Sequence, residues 1–182
     1  VHAVVTCGDE VFGGFAYIED WNRSGGIRVL SADPLPTGRS VELTGQITTV
    51  DGERGINTDS VTLGDPRPLP KPLGLTNRDL GGAGWRYDSV TGAGQKGLPG
   101  RAGLNNVGLL VCVWGSFTYI DDNTFEITDG SGEAIKCITP SGVTIGSGYT
   151  HAAATGIAST EIVAGEMKPV VLVRYAGDVA AY

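Results

Sequence analysis

Histidine is nearly missing from this chain: among 182 residues only His2 and His151 occur, with a single methionine and four lysines. A serine or cysteine triad needs an imidazole as its base, and most zinc sites need imidazole or clustered thiolate ligands. His2 sits at the start of the chain and His151 beside three alanines, so neither chemistry has its parts. No C-x-x-C spacing occurs among the three cysteines, Cys7, Cys112 and Cys137. No run approaches the roughly 20 apolar residues that span a bilayer as a helix. Also lacking is any window with apolar residues at i, i+3, i+4 and i+7 that is free of glycine and proline, which argues against helices. No catalytic residue, metal or cofactor is therefore expected, and the chain reads as a non-enzyme.

Two local motifs match function-bearing patterns only by spelling. "GAGQKG" at 92–97 fits G-x-G-x-x-G, but a dinucleotide loop must open a helix, and the "LPGRAG" that follows cannot. Asp121, Asp122, Asn123 and Asp129 carry oxygen ligands of the kind calcium takes, yet hairpin turns use the same residues. Both stretches are read as turns or loops.

What the chain has in excess is glycine, 29 residues, about twice the usual share. The glycines punctuate short β-branched runs: "HAVVTC", "GFAYIED", "GIRVL", "SVELTGQITTV", "SVTLG", "GLLVCVWGSFTYID", "TFEITD", "AIKCIT", "HAAATGIAST" and "PVVLVRY". Runs of this length bounded by Gly, Asp, Asn, Ser or Pro are strands and tight turns. The chain is all-β. Some of it is written twice. Ile18 and Asp20 align with Ile127 and Asp129, Ile27-Arg28-Val29 with Ile135-Lys136-Cys137, and Thr44-Gly45 with Thr155-Gly156. The offset stays near 109 residues, and each copy holds about five strands with a glycine where one must bend sharply.

Five strands in this order, with a longer connection between the third and fourth, resemble an OB-fold barrel. More narrowly, "FAYIEDWNRSGGIRV", "VELTGQITTVDGER" and "VWGSFTYIDDNTFEITDGSG" resemble the tandem OB-fold domains of exported bacterial proteins of poorly defined role. The resemblance implies two five-stranded OB-like Greek-key barrels, at 1–63 and 107–182. Residues 64–106 join them as a long Pro/Gly-rich basic segment. That segment holds five of the nine prolines and ten glycines. Its Leu69, Leu73, Leu75, Leu80, Trp85 and Tyr87 are apolar anchors for an ordered excursion over the surface.

Charge divides the same way. The first copy has four basic and nine acidic side chains, the middle six and three, and the second copy three and eight. A basic middle between acidic flanks suits contact with acidic surfaces, in this chain or a neighbouring copy. It provides no basic groove for nucleic acid. OB folds bind ligands across strands two and three, which makes Tyr17, Trp21, Arg28, Tyr119 and Phe125 the candidate ligand contacts. A neutral glycan is the electrostatically easier ligand there.

Cys112 and Cys137 share the second copy, so a disulfide between them is the simplest pairing. Strands one and three need not be neighbours, however, and Cys7 to either one, or as a free or intermolecular thiol, stays open. The start at Val1 and the lysine-poor, Gly/Thr/Ser/Val-rich composition suggest an exported product after removal of a signal peptide. The function expected is a non-catalytic extracellular structural protein that self-associates into a filament, tube or surface layer. Its contact residues are expected at Val1, Ala3, Val5, Cys7, Trp85, Tyr87 and Tyr182, with "VHAVVT" as a strand for a neighbour's open edge. The alternative is a monomeric OB-fold module binding a glycan or single-stranded nucleic acid.

Overall fold

The alternating runs become strands that close on themselves. The structure is a computed structural model and describes residues 2–101 and 103–182, so Val1 lies outside it. In the first copy, β1 (His2–Cys7) leads through a one-turn helix α1 (Asp9–Phe12) to β2 (Ala16–Glu19). β3 (Gly26–Leu30), β4 (Arg39–Val50) and β5 (Glu53–Pro66) follow. The pairings form a closed barrel in the order β1-β2-β3-β5-β4, with β3 and β5 parallel and every other contact antiparallel. Inward-facing Ala3, Val5, Ala16, Ile18, Val29, Val41, Leu43 and Ile56 fill it, and Leu35 plugs it from the β3–β4 connection.

The helix had no periodic signal because glycines flank its single turn. It has a local task. Asp9 Oδ1 accepts from the backbone N–H of Leu35 at 2.6 Å, and Glu10 Oε1 from that of Thr37 at 3.1 Å. These bonds fix the connection that carries the plug.

The second copy repeats the ring. After the short β6 (Leu73–Gly74) come β7 (Leu110–Asp121), β8 (Thr124–Thr128) and β9 (Ala134–Ile138). β10 (His151–Val163), β11 (Glu166–Val173) and β12 (Val179–Ala181) complete a seven-stranded sheet. β7 pairs with β8, β8 with β9, β9 in parallel with β11, β11 with β10, and β10 back with β7. The repeat register holds: Ile18 lies opposite Ile27 as Ile127 lies opposite Ile135, and Tyr17–Arg28 matches Glu126–Lys136. A Cβ on Gly45 would overlap the Asn57 carbonyl, and one on Gly156 the Leu172 carbonyl. At both places a bent strand presses on its neighbour, and only glycine fits.

Two expectations are corrected. β1 is paired on both edges within its own ring, with β2 and β4, so "VHAVVT" is not a spare strand. Ala3, Val5 and Cys7 are buried there. No Cys112–Cys137 disulfide forms; all three thiols are free. Strand alternation explains it: Val111 and Val113 point into the second core, so Cys112 faces outward while Cys137 lies in that core. β12 pairs with β10, but the Tyr182 side chain is 78% exposed.

The middle segment is anchored to both copies. Leu80 enters the second core, with Leu73 and Leu75 packed against it. Asn77 donates to the carbonyls of Ile127 and Glu133, each at 2.8 Å. At the other end, Gln95 Oε1 accepts from the N–H of Arg54 at 2.7 Å, while its amide donates to Gly52 O at 3.2 Å. One segment thus grips both copies.

Candidate functional site

The two barrels meet through an apolar cluster of Cys7, Tyr17, Leu110, Ile157, Val170 and Leu172, bordered by Phe12 and Phe15. Within this contact lies a buried polar knot. Alternation along β2 and β3 turns Tyr17 and Arg28 out of the first core and toward the second barrel. Glu53 arrives as the first residue of β5, and Ser159 from β10. Tyr17 donates its phenol proton to Glu53 Oε1 at 2.5 Å, and Ser159 donates to Glu53 Oε2 at 2.8 Å. Arg28 Nε lies 2.5 Å from Glu53 Oε1, and its Nη2 donates to the Tyr17 oxygen at 2.9 Å. The guanidinium also stacks 4.7 Å from the Phe15 ring centroid and approaches the exposed Asp51 carboxylate at 3.6 Å.

Burial pushes the Glu53 carboxyl above its ordinary range, while Arg28 and the two hydroxyls pull it back. Burial and the Glu53 charge push the Tyr17 phenol well up, so Tyr17 stays a proton donor. Such a knot stabilises only as a complete set, because each polar atom inside it is cut off from water.

A cavity of about 300 Å³ adjoins the knot. Its walls are Ile18 and Ile27 at the barrel mouth, Ile47 of β4, Arg54 of β5, Trp85 from the middle segment and Val107 at the start of the second copy. β3 and β5 pair only from Arg28 and Gly55 onward, and the gap before that point opens the barrel. Ile47 faces inward beside Ile56 yet is 62% exposed through this mouth.

Glu19 is the second buried carboxyl at the junction. Its Oε2 accepts from the backbone N–H of Leu110 at 2.8 Å, and its Oε1 has no partner. Burial raises its pKa, with the Leu110 bond and Arg23 opposing and Asp20 adding to the rise. A raised carboxyl pKa means that the folded chain holds the proton more tightly than the unfolded chain. The resulting stability is fully present below the unfolded pKa, near 4.3, and is lost as pH rises through the folded value. Denaturant midpoints across that range are therefore expected to fall for the wild type relative to Glu19→Gln as pH increases. A constant difference between the two would contradict this.

Of the residues expected to contact a ligand, the structure pairs Tyr17 with Arg28, which it uses in the joint, and sets Tyr119 opposite Phe125 across β7 and β8. Phe125 is fully buried in the second core, while Trp21 and Tyr119 are exposed on separate copies. Trp85 lines the cavity, and Tyr87 lines a neighbouring groove. Sequence reasoning missed Glu53, Ser159, Glu19 and Gln95. The one available signal was the pairing of the repeats, in which Glu53 corresponds to Glu166. No protein-family model, curated protein or solved structure matches this chain.

Proposed function

We propose that this chain is a non-catalytic structural subunit that self-associates outside the cell into a filament, tube or surface layer. Two rings with the strand order and single parallel contact described above suit a pair of OB-like Greek-key barrels. The knot and the grip of the middle segment suit a rigid building block. One observation carries the reading: all three tryptophans, Trp21, Trp85 and Trp114, stand about half exposed, at 49%, 49% and 51%. Val90 and Leu104 stand out almost completely, at 92% and 91%. Aromatic and apolar side chains displayed this way are the composition of interface centres, and a subunit buries them against its neighbours. The extracellular setting rests on the composition alone.

Negative-stain microscopy of the purified protein, dilute and concentrated, tests the proposal. Ordered polymers that grow with concentration are expected; separate particles at every concentration would overturn it.

The cavity favours a second reading, a binding module for a neutral glycan, because Trp85 offers a ring face at its wall. Titration with neutral oligosaccharides, followed by tryptophan fluorescence, distinguishes the two. A saturable change with no assembly would select the module.

A further inference from the structure

Resting on the self-association reading, we infer that subunits join head to tail, the tip of the β7–β8 hairpin of one copy entering a groove on the next. The groove continues from the cavity, with which it shares Arg54 and Gly94, and adds about 480 Å³. The exposed apolar faces of Tyr87 and Ile162 line it, and those of Ile47 and Trp85 line the adjoining cavity. Its cations are Arg54 and Lys96, with Arg86 stacked 5.3 Å from the Trp85 ring centroid. Among the described residues, none of these three cations lies within ion-pair distance of a carboxylate.

The hairpin tip is the complement. Tyr119 and Ile120 are exposed, and Asp121 and Asp122 follow with no cation in ion-pair distance among the described residues. Asp122 accepts from the Tyr119 hydroxyl at 2.7 Å and Asp121 from the Asn123 N–H at 2.9 Å, so the tip is held in shape before any contact. An apolar pair crowned by two carboxylates thus faces an apolar groove edged by cations. Complementary charge of this kind sets which surfaces meet and in what orientation.

The register places the two surfaces apart. β10 runs antiparallel to β7, with Ile157 opposite Leu110 and His151 opposite Ser116. The β7–β8 tip and the β10–β11 tip carrying Ile162 therefore lie at opposite ends of the second barrel. Two different patches at opposite ends make a heterologous contact, which propagates as an open chain unless the rotation closes it.

Charge reversal tests the assignment. The double variant Asp121→Lys, Asp122→Lys and the double variant Arg86→Glu, Lys96→Glu alter exposed side chains only. Each alone is expected to weaken association at least about tenfold, since like charges then face each other. Mixed in equal amounts they are expected to assemble again, because each reversed tip meets a groove of opposite sign. Wild-type assembly with both variants assembling normally would overturn this contact and leave self-association standing. Assembly lost in both variants and not regained on mixing would also overturn it. A wild type that never associates would overturn both.

Discussion

Arg28→Ala is expected to remove about 3–5 kcal/mol of folding stability, the usual cost of stranding one half of a buried ion pair. Glu53 has no exposed surface, and Arg28 is the only cation within ion-pair distance of it among the described residues. Once the guanidinium is gone, Tyr17 and Ser159 still donate to the two carboxylate oxygens, but no positive charge offsets the negative one. The damage should centre on the contact between the barrels, because Tyr17 and Ser159 belong to different copies. The second copy supplies the control. Lys136, the counterpart of Arg28, pairs with Glu161 at 2.8 Å with both side chains partly in water. Water and salt screen that pair, so Lys136→Ala is expected to cost no more than about 1 kcal/mol. A further check removes both charges: Arg28→Met with Glu53→Gln should recover much of the loss, since no unpaired ion remains. Denaturant unfolding monitored by tryptophan fluorescence measures all three. Equal losses for Arg28→Ala and Lys136→Ala would contradict the structural account of the knot.

Phe125→Ala should be comparably severe, at about 3–5 kcal/mol, from lost burial and the cavity left behind. The ring is fully enclosed among the side chains of the second core and stacks on Phe117 with centroids 5.2 Å apart. Its strand neighbours leave little room for collapse, because Ile127, Ile135 and Cys137 are fully buried around it. Trp114→Ala, at an exposed site on β7, should cost far less stability, while it removes part of the surface offered to neighbours. A mild loss for Phe125→Ala, within about 1 kcal/mol of Trp114→Ala in chemical denaturation, would show that the ring does not fill the core as described.

These two cases also show where sequence reasoning reached and where it stopped. The period-two alternation and the glycine punctuation are local properties, and they gave the all-β class and nearly every strand. The repeat was legible to the level of register, since Ile18–Ile27 and Ile127–Ile135 are cross-strand pairs in both copies. Contacts between distant segments were not. Asp51-Gly52-Glu53 and Ala164-Gly165-Glu166 occupy the same turn in the two copies, yet Glu53 is sealed and Glu166 pairs with Lys168 in the open. Nothing local separates them; the docking of the second barrel does. Phe125 looked like a stacking platform because a strand has two faces, and the sequence alone did not say which was covered. Gln95 lay inside a glycine pattern set aside as a loop. That loop places Gly94 at φ +74° and so delivers the Gln95 side chain to the turn of the first barrel. The disulfide failed for the same kind of reason: two cysteines in one copy say nothing about facing.

Sedimentation velocity over a wide concentration range bears most directly on the central claim of self-association. The account predicts a weight-average sedimentation coefficient that climbs with concentration and reverts toward the single-subunit value in the Asp121→Lys, Asp122→Lys variant. A wild type that sediments as one 18.8 kDa species at every concentration would contradict it.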